Sequence, residues 1–349
     1  MTGGLRNNGT VQVQSAMARL LAAAIIFCLA GGLSAQGADR VTITVAGMNK
    51  QIYLPAVLAQ RLGYFADEDL KVELLDSPTG IEAENELLAG GAQAVVGFYD
   101  HTIELQTKGK FVQAIVQFCL APGEALIVSQ NAESYTKVAD LKGARIGVVG
   151  LGSSTEMLLR YLAARSGLTP GAYHPVPVGA GEDFIAAMET GKIGAGITTE
   201  PTISRMVKGG QARILVDLRT PDAVSAALGS VYPGAALYVQ SSWLAAHRPV
   251  AQKLATAFVR TLRYIASHDA ADLAALVPPD FWAGDKELYI SSLRQGKSLF
   301  SVDGRMPEGG TATAVEVFRT LGADHGKVID ISRTYTDEFV KAAATAPAR

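Results

Sequence analysis

Cysteine is nearly absent: the 349 residues hold 2, Cys28 and Cys119, and Cys28 lies in a segment that reads as removable. A chain left with Cys119 alone cannot form an intramolecular disulfide, so stapling is excluded as a source of stability. The 5 histidines are scattered, and none has a partner at metal-ligand spacing, so no metal site is expected. G-x-S-x-G, H-E-x-x-H, paired thiols and the G-x-x-x-x-G-K-[ST] phosphate loop are all missing, and no catalytic residue is assigned. Neither sign of charge is in excess, with 31 Lys and Arg against 33 Asp and Glu, which argues against nucleic acid or an anionic membrane as partner. With 18% charged and 48% hydrophobic residues, the composition is that of a globular chain long enough for two domains.

What is present begins with a leader. Met17-Ala18-Arg19 precedes an apolar run from Leu20 to Leu33, which Gly31-Gly32 breaks, and small residues follow. That run is short for a bilayer span and has the parts of a secretory signal peptide, expected over residues 1–38, with Met17 as the true start. Cys28 follows Ile25-Ile26-Phe27 rather than a small residue, so lipidation is not expected. Cleavage would remove Arg6 and Arg19 and leave an exported, soluble chain without stable membrane insertion. Retention of such a chain points to a periplasm.

From Val41 the pattern turns regular. VTITVAG, LKVELLD, AQAVVGF and FVQAIVQF read as strands separated by helical segments. The alternation restarts at DLKGARIGVVG and continues through HPVPVG, IGAGITT and ARILVDLRT. Two such runs predict two α/β domains with mostly parallel sheets covered by helices. AALYVQSS adds a strand, and the helix PVAQKLATAFVRTLRYIASH places Val250, Leu254, Phe258, Leu262 and Ile265 on one face. The remaining tail is helical and must pack on the preceding domains.

The stretch IGVVGLGSSTE tests one motif. A dinucleotide fingerprint needs G-x-G-x-x-G and an acid closing the next strand, but here Gly150-x-Gly152-x-x meets Thr155, and HPVPVG ends at Gly179. What survives is a tight turn presenting Ser153, Ser154 and Thr155 at a new helix, suited either to N-capping or to a polar or anionic ligand group. Other strand exits carry similar groups: Asn49, Lys50 and Tyr53; Ser77 and Thr79; Tyr99, Asp100 and His101; Thr199 and Glu200. Taken singly, each reads as a cap or turn residue ahead of a ligand contact. Glu200 reads as a hydrogen-bond acceptor rather than a base, because no nucleophile accompanies it.

Several motifs together resemble a known family. They are Gly63-Tyr64-Phe65, Leu87-Leu88-Ala89-Gly90, Asp140-Leu141-Lys142-Gly143-Ala144-Arg145-Ile146-Gly147, Gly152-Ser153-Ser154 and Met188-Glu189-Thr190-Gly191-Lys192-Ile193. From about Thr42 to Asp217 the chain resembles the periplasmic substrate-binding proteins of ABC importers in the nitrate, sulfonate and taurine group, with their thiamine-pyrimidine-precursor (NMT1/THI5-like) members. The resemblance implies a type II, two-lobed periplasmic binding fold. Lobe I would comprise 39–128 and 232–349, lobe II 129–231, with connections crossing near Ala121–Ile127 and Thr220–Tyr232. It further implies a monomer without cofactor that hands a small-molecule ligand to an ABC permease driven by a cytoplasmic ATPase. Ligand contacts are expected from Asn49, Tyr53, Ser77, Thr79, Tyr99, Asp100, His101, Ser153, Ser154, Thr155, Thr199, Glu200 and Tyr232. Where relatives often carry an aspartate, this chain has Gln93 and Gly194. Lys50 is the one evident cation among these loops, while Asp100, Glu200 and the tyrosines suit an amine, a zwitterion or a heterocycle, so the expected cargo is a sulfonate, a taurine-like zwitterion or an aromatic compound. Two alternatives stay open: a pyrimidine-synthase-like enzyme on the same fold, and a sensor that presents its ligand to a receptor.

Overall fold

The computed structural model describes residues 1–2 and 38–345, so the expected leader falls almost entirely outside the described residues. Among the described residues, ten strands form two five-stranded sheets. The first takes β1 (Asp39–Val45), β2 (Leu70–Asp76), β3 (Ala94–Phe98), β4 (Val112–Gln117) and β10 (Ala235–Gln240), ordered β2-β1-β3-β10-β4. The second takes β5 (Glu124–Ser129), β6 (Arg145–Val148), β7 (His174–Pro177), β8 (Ala195–Thr199) and β9 (Ala212–Leu218), ordered β7-β6-β8-β5-β9. Helices flank both sheets and dominate the chain after β10.

In each sheet the β-helix-β units pair in parallel: β1 with β2 and β3, and β6 with β7 and β8. One strand in each runs against its neighbours. β10 is antiparallel to β3 and β4, and β5 is antiparallel to β8 and β9. These are the strands that enter from the opposite sheet, so their reversed direction records the crossing. The segment 121–127, expected as a bare connection, contains the start of β5. Ala125–Val128 is buried throughout and shows no period-2 alternation, which is why the pattern hid a central strand.

The crossings touch. Gly234 N donates to the Cys119 carbonyl at 3.0 Å, and a Cβ on Gly234 would stand 2.2 Å from the Ala121 carbonyl oxygen. Buried Gln117 donates its amide to the carbonyls of Cys119, Gly234 and Ala235 at 2.7, 3.2 and 3.0 Å, tying both connections to the end of β4. Gln93 gives its side-chain oxygen to Thr42 N at 2.8 Å, an acceptor role an aspartate would also fill.

The helix Arg248–Ser267 lays its apolar face on the first sheet's layer, with Leu254, Phe258, Leu262 and Ile265 fully buried. Phe258 meets Phe65 edge-on at 5.3 Å and Phe118 at 4.8 Å. Further along, Asp285 pairs with Lys208 beside the second sheet at 3.4 Å, so the tail reaches both layers.

Gly234→Ala is the sharpest probe of this arrangement. A Cβ there can be accommodated only by moving backbone, and overpacking of that kind costs about 1–3 kcal/mol. Denaturant unfolding should show the midpoint falling with the m value unchanged; an unaltered midpoint would mean the crossing tolerates separation.

Candidate functional site

The loop ends of both sheets face a common cavity. Lys50, Ile52, Tyr53, Gly80, Phe98 and His101 line it from the first sheet's side, and Glu124, Val149, Ser153, Ser154, Thr155 and Thr199 from the second's. Its room for the centres of water-sized molecules is about 20 Å³. One ordered water needs roughly 10–15 Å³ by the same measure, so nothing larger enters unless the walls part.

Backbone geometry places each polar group. After β1 the chain turns at Gly47, whose φ of +100° favours glycine, and a Cβ there would lie 2.5 Å from Lys50 Cε. Lys50 thereby folds back, donating Nζ to the Ala46 carbonyl at 2.7 Å. Burial lowers its pKa to about 8, against the opposing pull of Glu124 and Asp76. Gly80 opens the next helix, Gly80–Ala89, and a Cβ on it would stand 2.3 Å from His101 Cε1. The imidazole occupies that space.

His101 belongs to a buried chain of ionisable groups. Its Nδ1 lies 2.6 Å from Glu84 Oε1, and its Nε2 lies 3.9 Å from Asp100 Oδ1. Desolvation pulls the imidazole's pKa down, but the Glu84 carboxylate and then Asp100 outweigh it and raise it to about 9. Asp100 accepts from Tyr232 Oη at 2.8 Å, and burial raises its pKa. Glu124, at the first position of β5, accepts from Ser154 Oγ at 3.2 Å through Oε1, while Oε2 has no partner. Burial, with Asp100 adding to it, pushes Glu124 up to about 8 despite Ser154, Lys50 and His101.

The three consecutive hydroxyls divide their work. Ser153 Oγ caps its helix through Glu156 N at 3.4 Å and donates to the Gly150 carbonyl at 2.6 Å. Thr155 Oγ1 accepts from Val149 N at 3.0 Å and lies 2.7 Å from Ser153 Oγ. These two hold the turn itself, and Ser154 alone reaches across to Glu124. The glycines have a further part: Cβ atoms on Gly150 and Gly152 would lie 3.3 Å from Thr79 Cγ2 and 3.2 Å from Ile81 Cδ1, so the turn abuts the facing helix start.

Of the residues singled out in sequence, Tyr53, His101, Ser153, Ser154, Thr155 and Thr199 come together on the cavity. Asp100 and Tyr232 stand behind His101. Tyr99 turns the other way, its hydroxyl 2.6 Å from Thr334 Oγ1 and its ring edge-on to Tyr335. Asn49 is exposed, Ser77 donates to Glu86, and Thr79 forms a capping box with Glu82. Glu200 accepts from Ser204 N and Oγ and from Arg219, and borders a separate cavity with Gln51 and Ser292. Glu124 and Glu84 were not singled out. An acid opening the apolar run EALIVS was the available signal for Glu124; Glu84 sits on an ordinary-looking helix. Cys119 is buried, its thiol facing the Ile52 carbonyl, and burial raises its pKa, which makes it a structural thiol.

Two mixed sheets with reciprocal crossings and a cavity between them define the two-lobed periplasmic-binding-protein fold. A protein of that fold from Bordetella bronchiseptica RB50 superposes with a TM-score of 0.83 at 32% identity, over 87% of this chain and 96% of that one. The alkanesulfonate-binding protein SsuA from Xanthomonas axonopodis pv. citri, bound to MOPS, superposes at 0.66 with 18% identity, over 86% and 98%. The chain belongs to the NMT1/THI5-like family, whose model matches residues 51–271. A 4-amino-5-hydroxymethyl-2-methylpyrimidine phosphate synthase from Legionella pneumophila is 25% identical over 141 residues, 40% of this chain and 44% of the relative, so the chain spans less than half of that relative's length.

The shifted groups set a pH dependence of stability. His101, raised from 6.5 to about 9, and Glu124, raised from 4.5 to about 8, both keep protons in the folded state that the unfolded chain releases. Their stabilisation is therefore present at low pH and lost as pH climbs toward those values. Lys50 acts oppositely, but between about 8 and 10.5. The melting temperature should fall between pH 6.5 and 8, by on the order of 2 kcal/mol in stability, and His101→Gln or Glu124→Gln should each flatten the slope. A wild-type protein equally stable at both values would contradict this.

Proposed function

We propose that this protein is the extracytoplasmic solute-binding component of an ABC importer. The lobe built on the first sheet and the lobe built on the second, which takes β5 from Glu124 onward, close on a small organic solute, and the closed form presents it to a membrane permease driven by a cytoplasmic ATPase. The observation that carries this reading is the cavity itself, small, bounded by both sheets and carrying ionisable and hydroxyl side chains from each on a largely apolar wall. A solute can reach Glu124 only if the lobes part, which couples binding to hinge motion about the paired crossings. Membership of the NMT1/THI5-like family, the periplasmic binding fold and the alkanesulfonate-binding neighbour support the same role. Among the described residues no helix is long and apolar enough to cross a membrane. A monomeric, periplasmic protein that binds without turning its cargo over is the form this function takes, with Tyr53, His101, Ser154 and Thr199 as ligand contacts and Asp100 and Tyr232 behind them.

The Legionella relative motivates a second reading, a synthase built on the same fold. One assay separates them. The purified protein is heated with a panel of sulfonates, nitrate, aromatic acids, amino acids and pyrimidines, and each sample is then analysed for product. A solute present at 100 times its Kd stabilises by about 2.7 kcal/mol, a clear rise in melting temperature. Stabilisation with the solute recovered intact is expected; consumption of the stabilising compound would sustain the synthase, and no shift with any member would count against solute capture.

A further inference from the structure

The two ends of the cavity name the class of solute, on the reading that this is a solute-capture site. Glu124 is 1% exposed and lines the cavity, and its Oε2 has no hydrogen-bond partner among the described residues. A buried acceptor left unpaired is costly, and an ionised carboxylate can only accept. No described side chain donates to Oε2: Ser154 bonds Oε1, Tyr232 bonds Asp100, Ser153 and Thr155 bond within their own turn, and His101 Nε2, though without a partner of its own, makes no bond to it. On the facing lobe Lys50 carries three N–H bonds, of which the Ala46 carbonyl takes one, and its ammonium stands 5.9 Å from the centre of the Tyr53 ring.

We propose that the solute is amphoteric, donating an amine or amidine N–H to Glu124 Oε2 and placing a sulfonate or carboxylate against the Lys50 ammonium. Glu124 belongs to the second sheet and Lys50 to the loop after the first strand of the first, so such a solute bridges the lobes and fastens them together. Burial drives the pKa values of these two groups toward each other, to about 8 each, because each lacks a full counter-charge. A solute charged at both ends supplies both. Lys50, Tyr53, Asp100, His101 and Tyr232 are the other titratable groups that act on Glu124 or share its surroundings. A protonated Glu124 would instead donate to an acceptor and favour nitrogen-free anions, which makes the alternative measurable.

The test is calorimetry at pH 7.5 on the purified protein with three matched pairs: taurine and isethionate, 4-aminobutyrate and butyrate, 4-amidinobenzoate and benzoate. In at least one pair the nitrogen-bearing member should bind about ten-fold tighter or more, the size of a charge-assisted hydrogen bond. Its binding should strengthen from pH 6.5 to 8 as Glu124 gives up its proton. Glu124→Gln should erase the advantage, Glu124→Asp should keep most of it, and Lys50→Met should weaken both members of the pair. The comparison within wild-type pairs needs no variant to fold. Equal or tighter binding of the nitrogen-free members, or an advantage that survives Glu124→Gln, overturns the inference. Silence of all six also overturns it, yet leaves solute capture standing if any other compound of the broader panel stabilises the protein.

Discussion

Everything in this molecule is arranged around two chain crossings that lie in van der Waals contact. Gly234 has no side chain because the Ala121 carbonyl occupies the space, and the Gln117 amide joins three carbonyls of the two segments. Each crossing strand must therefore enter its new sheet reversed, which explains why β5 and β10 are antiparallel to both neighbours while the β-helix-β units remain parallel. The same constraint brings the loop ends of both sheets to one place. Glu124 lies three residues beyond Ala121, and its position facing Lys50 follows from where the chain crosses.

Most of the fold could be read from local pattern, and the parts that could not fail for identifiable reasons. Strands such as VTITVAG and IGAGITT combine apolar runs with glycine or helix signals at both ends, and the amphipathic face of Arg248–Ser267 was visible at Leu254, Phe258, Leu262 and Ile265. β5 escaped because a strand buried on both faces has no alternation to detect. At the site, strand-exit position located Tyr53, His101 and the Ser153–Thr155 turn, since open α/β sheets collect polar groups there. Position alone could not tell where a side chain points. Tyr99 and His101 are two residues apart, yet one faces Thr334 in the tail and the other the cavity. Nor could spacing reveal the His101 and Glu84 pair, which exists because Gly80 leaves room for an imidazole against the helix.

The IGVVGLGSSTE turn shows how one motif can serve three purposes. Its glycines admit the facing helix start at Thr79 and Ile81, two of its hydroxyls lock the turn, and Ser154 orients Glu124. A phosphate-binding interpretation needs free hydroxyls, and those of Ser153 and Thr155 are already engaged within the turn.

Lys50, Glu84, Asp100, His101 and Glu124 are all buried, and this polar cluster sits where an apolar core would stabilise the fold more cheaply. The His101 and Glu84 pair, the Tyr232 to Asp100 bond, the Ser154 to Glu124 bond and the Lys50 to Ala46 bond offset that desolvation in part, but Glu124 Oε2 and Asp100 Oδ1 stay without partners among the described residues. Between the two sheets' loops, Gln51 N donates to the Glu200 carbonyl at 3.1 Å, and Thr79 and Ile81 face the glycine turn in dispersion contacts each worth only a few tenths of a kcal/mol. One neutral hydrogen bond, worth about 0.5–1.5 kcal/mol net, and contacts of that kind contribute little to closure. A conformational equilibrium shifts only by as much as a ligand prefers one state over the other. On the proposed solute-capture reading, the preference arises at the buried charged groups, whose desolvation is repaid when a solute completes their pairing, and closure is coupled to the chemistry of the cargo and not only to its size.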